Sequence, residues 1–441
     1  MRPGEVRAVG RIAGTLLGDG VGMIGDIHRS IADRAFDAIG PAGDGMRRVH
    51  DGVWRLTYGV VGGAHRWVPT LSAAIGAAAL SPEAMPLAAS RRGNTTLGAV
   101  NGLWGDRLAP AAEELGIEMT VRQARADLPI TDAGLAWAFP TATPRIAVFV
   151  HGLCVTEESW QPSDRKQLSH GARNFGDRLA DTGFTPVYIR YNSGLHVSDN
   201  GARLSALLEE LVEAWPVPVD ELVLIGHSMG GLIGRSACHQ GAGAGAGWVD
   251  RVRHVFCLAT PHLGAPLERA VNMLSWGLQQ IPETRRIAAL LNTRSVGIKD
   301  LRFGSLLEED WRDVDLDEFL SGSAGEVPFL PHINYSFIGV TITRDRRHPL
   351  GRLAGDLMVH YGSASGRRRR RQLPFDIDRG HHIGGLNHFD LLTHPDVYAQ
   401  LERRLTTSGD GGSRCGAPSV AQLGQEAQDL EVEPHQGDHQ P

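Results

Sequence analysis

The run Gly226-His227-Ser228-Met229-Gly230 sets one hydroxyl among small residues, directly after the apolar stretch Leu222–Ile225 and directly before a helical stretch. A strand that turns sharply into a helix tolerates little bulk, and such a turn holds the serine in a strained backbone with its Oγ exposed. The helix N-terminus behind it adds free N–H groups and the positive end of a dipole. The predicted chemistry is nucleophilic attack by Ser228 on an ester carbonyl. That attack puts negative charge on the carbonyl oxygen, which two converging backbone N–H groups must hold. Met229, next after the serine, supplies one. The other is expected from His151-Gly152-Leu153, where Ile146–Val150 ends: Leu153 is the assigned donor and Cys154 the neighbouring alternative. His227 is expected to pack or hydrogen-bond locally and His151 to fix its loop. Cys154 as a rival nucleophile lacks a turn to present it.

These residues need a rigid frame, and the chain from about residue 117 reads as one. Met119–Gln123, Ile146–Val150, Pro186–Arg190, Leu222–Ile225, Val252–Phe256 and Tyr335–Val340 are short runs, several of them apolar on both faces as buried parallel strands are. Helical stretches at Arg173–Asp181, Ala202–Trp215 and Met229–His239 separate them. Alternation of this kind predicts an α/β fold with a mostly parallel central sheet and helices on both faces. Between Pro261 and His332 the alternation stops, at the end of a strand where open sheets place their ligands. A helical cap over a pocket, at about 262–332, is expected there, a simple packing excursion being the alternative.

Residues 1–116 form a separate helical region in this reading, ahead of an α/β domain at 117–406 and a disordered tail at 407–441 rich in Gly, Ser, Gln and acidic residues. Apolar residues recur at Val9, Ile12, Leu16, Ile24, Ile27, Ile31 and Ala35, then at Met46, Val49, Val53, Leu56 and Val60, as on one face of amphipathic helices. Glycines interrupt both runs. Trp54, Trp67 and Trp104 read as core anchors or interfacial aromatics. The expected role is packing on the main domain or on another subunit; docking on a membrane surface is the alternative.

The 441 residues exceed what one core usually organises, and a net charge of -6 leaves no overall basic field for nucleic acid. The four cysteines form no CxxC pair and are too sparse for a disulfide framework. The N-terminal segment lacks an unbroken apolar stretch, and no window offers about 18 consecutive apolar residues. A soluble, cytoplasmic protein is expected. No GxxxxGK[ST], HExxH or cysteine–histidine metal spacing occurs, so no cofactor and no metal are predicted. Arg367 to Arg371 read as a solvated loop, with anionic lipid head groups as the alternative contact.

The order His151-Gly-Leu, Gly226-His-Ser-Met-Gly-Gly231 and Ala259-Thr-Pro-His-Leu-Gly264 resembles lipases and esterases of the α/β-hydrolase superfamily, in the branch with triacylglycerol lipases and GPI inositol-deacylase-like proteins. The resemblance implies that an acid and a histidine follow the serine in the chain. Gly355-Asp356-Leu357-Met358-Val359 is similar to the family's Asp-Gly-x-Val loop, with Leu357 where the family has glycine. Asn387-His388-Phe389-Asp390 is similar to its histidine loop. Asp356 is therefore assigned as the acid and His388 as the general base. Asp376, Asp378 and Asp390 are the alternative acids. His382 is the runner-up base; His381 lies beside it, His394 opens the last helix facing solvent, and His262 is placed to line the pocket.

The expected activity is that of a serine carboxylester hydrolase acting on lipid or other apolar acyl esters. The alternatives are an acyltransferase using the same residues and a catalytically silent lipid-binding or scaffold protein. Expected partners are a small-molecule or lipid ester and, through the N-terminal helices, a peripheral membrane surface; no nucleic acid is expected.

Overall fold

The β-branched runs that alternate with helical stretches form the centre of the molecule. This structure, a computed structural model, describes residues 1–108, 112–162, 173–319, 324–345, 347–368, 371–375 and 379–407. The tail at 408–441, Asp376, Asp378, Arg369 and Arg370 lie outside the described residues. The chain divides into two compact units, Met1–Tyr398 and Ala399–Pro441, and everything below concerns the first.

Eight strands form one sheet: β1 (Thr120–Gln123), β2 (Ala126–Leu128), β3 (Arg145–Val150), β4 (Thr185–Arg190), β5 (Glu221–His227), β6 (Val252–Leu258), β7 (Asn334–Thr341) and β8 (Gly380–Gly384). Their order is β8-β7-β6-β5-β3-β4-β1-β2, parallel throughout except for the two antiparallel pairings of β1. Both faces of β3 and β5 are buried: Ile146, Ala147, Val148 and Phe149 are at 0% exposure, which is why these runs are apolar without alternation. After β3 the chain first adds β4 on one side and then β5 on the other, so the sheet order reverses at β3. Open α/β sheets bind ligands outside the strand ends at such a reversal. The register pairs Val150 with Gly226 and thereby sets His151-Gly152-Leu153 beside His227-Ser228.

Two strands of the sheet escaped the sequence reading. β2 has three residues, two of them charged or small, and pairs only at the sheet edge. β8 is Gly-His-His-Ile-Gly, with no apolar alternation; a side chain at Gly380 would collide with the Phe337 ring, so close approach to β7 replaces side-chain pattern there.

The N-terminal helices are α1 (Pro3–Ile39), α2 (Asp44–Ala78) and α3 (Arg91–Trp104). Within this chain the apolar periodicity finds little cover. Most of the recurring apolar residues face solvent: Ile24 and Ile31 are each 57% exposed, and Met46, Val49, Val53, Leu56 and Val60 are all exposed. The interrupting glycines make the contact instead. A Cβ on Gly10 would collide with Ala73, one on Gly14 with the Arg66 carbonyl, and one on Gly25 with the Tyr58 ring. A ridge without side chains lets two backbones come close, so glycine at steps of four outweighs its poor helix propensity. α3 repeats the device on the main domain. Gly98 lies against Val155 and Thr156, and Gly102 against Cys154.

Helices α4 (Val197–Glu213) and α5 (Met229–Ala244) follow β4 and β5. The segment between β6 and β7 carries α6 (Pro266–Gln279) and α7 (Arg285–Asn292). Its base is held by buried Glu268, whose Oε1 accepts from Arg294 at 2.8 Å and from Arg302 at 3.1 Å. Ser295 bonds to α3 through both its hydroxyl (Gly102 O, 2.6 Å) and its amide (Leu103 O, 2.8 Å). Arg367–Arg368 pairs antiparallel with Arg371–Gln372, a short ribbon where a solvated loop was expected.

Candidate active site

Ser228 has φ 53° and ψ -122°, a region that L residues rarely enter. The sequence makes it affordable on both sides. A Cβ on Gly226 would meet the backbone of Gly230 and Gly231, and one on Gly230 would collide with the Val150 and His151 carbonyls. The Ser228 amide bonds to the Leu258 carbonyl at 2.8 Å, which pins the turn to β6. Met229 is the first residue of α5 and Leu153 lies in the turn after β3. A helix's first N–H groups have no acceptor within the helix, so the Met229 amide is one of them. A Cβ on Gly152 would lie 3.1 Å from that of Ser228, so this loop runs directly along the Ser228 side chain. The amide of Cys154, the neighbouring alternative, donates to Ser193 Oγ at 3.1 Å. Burial pushes the Cys154 thiol up to about 11, so it stays protonated at neutral pH and is a poor nucleophile.

Asp356 and His388, 32 positions apart, meet: His388 Nδ1 donates to Asp356 Oδ2 at 2.7 Å, and the His388 amide donates to the Asp356 carbonyl at 3.0 Å. Asp356 Oδ1 accepts from the amides of Met358 (2.9 Å) and Val359 (2.7 Å). Both carboxylate oxygens are thus engaged as acceptors, and the imidazole's other nitrogen is left for a proton from elsewhere. Both side chains are buried, at 1% and 3% exposure. Ser228 and His388 line one cavity of about 500 Å³, walled by Leu103, Trp104, Leu153 and the cap residues Leu267, Val271 and Ile298. That volume lies within the range of small-molecule sites.

The rival residues are placed elsewhere. His382 Nε2 bonds to Thr341 Oγ1 at 2.9 Å within the sheet. His394 accepts from the Asp396 amide at 3.2 Å at the start of the last helix. Asp390 Oδ2 accepts from the Asn387 amide at 3.0 Å. His262, expected in the pocket, is instead buried with its Nδ1 accepting from Arg235 at 3.1 Å, and burial holds its pKa well below the usual histidine range. His151 is neutral, burial lowering it to about 3; it donates through Nδ1 to the Gly152 carbonyl (2.8 Å) and stacks on Tyr191.

His227 does more than pack locally. Burial keeps it neutral, well below the usual range, and its Nε2–H donates 3.0 Å to the carbonyl of His388, 161 positions away. His227 therefore fixes the backbone of the loop that carries His388. Sequence spacing carries no sign of that bond. Trp104 was missed as a pocket wall for the same reason, although the spacing Gly98-x-x-x-Gly102 signals a close packing face on α3; the expected cap at about 262–332 does line the cavity, through Leu267, Val271 and Ile298.

Leu357 has φ 85° and a side chain 63% exposed. It occupies a left-handed position that suits glycine, with little packing in return. Leu357→Gly is expected to leave stability unchanged or raise it by up to about 1 kcal/mol, since relief of strain is partly offset by backbone entropy. A thermal melt checks this; a loss beyond about 1 kcal/mol would mean that the leucine packs.

Residues 204–339 match the PGAP1-like alpha/beta domain family. No curated protein matches the sequence. The chain is similar to the mature Bacillus licheniformis lipase BlEst2 at 20% identity, covering 60% of this chain and 92% of that one with a TM-score of 0.38. It is similar to Staphylococcus hyicus lipase at 14% identity, 62% and 97% coverage and a TM-score of 0.37. EstA from Clostridium botulinum is similar at 14% identity, 60% and 87% coverage and a TM-score of 0.37. The mostly parallel sheet, its order and the turn at Ser228 are those of the α/β-hydrolase fold.

Proposed function

We propose that this protein is a serine carboxylester hydrolase acting through an acyl-enzyme on apolar acyl esters. The observation that carries the reading is the convergence on one apolar cavity of a serine in a strained strand-to-helix turn and a histidine held by a buried carboxylate. Ser228 Oγ attacks the acyl carbonyl while His388 Nε2 takes its proton. The Leu153 and Met229 amides hold the oxyanion. The C–O bond to the alcohol breaks as His388 returns the proton to the leaving oxygen. Water, deprotonated by the same imidazole, then releases the acid and restores the serine. Asp356 holds the imidazole in the tautomer this needs and stabilises its charged form. The test is a fluorophosphonate probe together with a panel of esters. Stoichiometric labelling on the Ser228 peptide, with free acid as product, supports the reading. Absence of labelling sinks it, and acyl transfer to an added alcohol in preference to water would make the protein an acyltransferase.

The lipid side of the proposal is supported by the outer face of α2. Met46 (71% exposed), Val49, Val53, Leu56, Val60 and Trp67 (69%) line one side of that helix. A continuous exposed apolar stripe of this length marks an interaction surface, and an aromatic beside aliphatics suits a bilayer interface. No helix among the described residues is long and apolar enough to cross a membrane. The full chain is expected to float with phosphatidylcholine vesicles, and a Val53→Asp, Leu56→Asp double variant to lose most of that binding. A soluble dimer that ignores vesicles would assign the face to a second copy instead.

A further inference from the structure

A second cleft of about 630 Å³ lies between α1 and the cap helix α7, and it shares three wall residues, Trp104, Leu290 and Thr293, with the cavity at Ser228. We propose that it is the distal half of the acyl site and that the substrate is an ester of a long, unbranched fatty acid. In this arrangement the carbonyl sits at Ser228 and the far end of the chain passes Trp104 into the second cleft. The inference rests on the serine-hydrolase reading and extends it to the substrate class.

Three observations argue for an alkyl chain rather than a polar group. The lining includes Ile12, Leu16, Met23, Leu108, Ala112 and Leu290, a run of apolar side chains contributed by α1, α7 and the segment after α3. The arginines of its lining already have carboxylate partners: Arg66 with Asp19 at 2.7 Å, Arg11 with Glu114 at 2.9 Å, Arg107 with Asp106 at 3.6 Å, and Arg286 with Asp26. Each of these guanidinium charges is offset by a neighbouring carboxylate, and exposed pairs of this kind add little binding energy of their own. The cleft is also tied to the catalytic half by main-chain contacts. Ser295, just beyond Thr293, bonds to the backbone of α3 at Gly102 and Leu103, and Gly102 packs on Cys154 beside the assigned oxyanion donor. The N-terminal helices thus supply one wall of a binding site whose other wall is the cap. The Arg286–Asp26 pair holds α7 to α1 across it.

The experiment compares p-nitrophenyl palmitate with p-nitrophenyl butyrate. Thr15 and Ala289 line the distal cleft but not the cavity at Ser228, and both are exposed, so a larger side chain there fills the cleft without disturbing a core. In Thr15→Trp and Ala289→Trp the ratio of kcat/KM for palmitate to that for butyrate is expected to fall about tenfold or more, because each methylene kept out of apolar space costs about fourfold. Ile24→Trp, on an exposed position of α1 outside both cavities, is expected to leave the ratio unmoved. An unchanged ratio in both cleft variants overturns the proposal. Calorimetric titration of Ser228→Ala protein with monomeric palmitate, alone and combined with Ala289→Trp, separates this idea from the chemistry. A Kd weakened about tenfold by the added tryptophan supports the cleft even if no ester is turned over. An unchanged Kd removes the cleft while leaving the serine chemistry standing.

Discussion

Replacing Ser228 by alanine is expected to lower kcat on apolar esters by about 10⁴- to 10⁶-fold and to abolish fluorophosphonate labelling. The magnitude follows from position. The side chain opens into the cavity rather than bonding to the core, so its removal deletes the reacting atom and little else. The turn itself is held by the Ser228 amide on Leu258 and by Gly226 and Gly230, none of which the substitution touches. Melting temperature should therefore stay close to that of the parent while turnover collapses. Binding and the two backbone amides still accelerate the reaction over water, which leaves a residual rate. Activity retained above about one part in a hundred would point to another nucleophile. Cys154 is the nearest rival in the cavity wall, and its raised pKa, about 11, makes it a weak one at neutral pH.

The second large effect is expected from Asp356→Asn, a drop in kcat of about 10⁴-fold with KM nearly unchanged. Asn is the same size, and its carbonyl oxygen takes over the two amide bonds from Met358 and Val359. That choice turns the NH₂ group toward His388 Nδ1, which must now accept. The imidazole proton moves to Nε2, the atom that has to receive the serine proton, and the base is lost without any gross change in shape. The readout is kcat against KM together with a thermal melt. A loss of activity that merely follows a lowered melting temperature would mean that Asp356 serves the fold. A loss smaller than about tenfold would unseat it as the histidine's partner.

How much of this was legible depends on the range of the physical cause. The turn at Ser228 is a local steric demand. Glycine must stand two residues before and two after the serine because side chains there would strike the adjoining backbone, and that demand is written in five consecutive letters. The parallel strands at Ile146–Val150 and Leu222–Ile225 are legible because burial on both faces requires apolar runs. Asp356 and His388 were singled out by likeness to a family, and the structure brings the two together; the left-handed Leu357 explains why that family position suits glycine.

The N-terminal hairpin marks where such reasoning stops. Periodic valines and isoleucines predict an apolar helix face; α1 and α2 meet along Gly10, Gly14 and Gly25, and much of that apolar face points outward. Side-chain hydrophobicity says which face leaves water when a partner exists, and nothing about which partner it is.

The sequence alone determined the turn at Ser228, the alternating sheet and the absence of a basic field, since each depends on neighbours within a few residues or on composition. Only the tertiary structure decided that His227 holds the His388 backbone, that Trp104 stands between two cavities, and that His262 lies beside Arg235 rather than in the pocket. Those are meetings between segments tens to hundreds of positions apart. Their cause is the register of the strands and the closeness of packed helices, which no window along the chain contains.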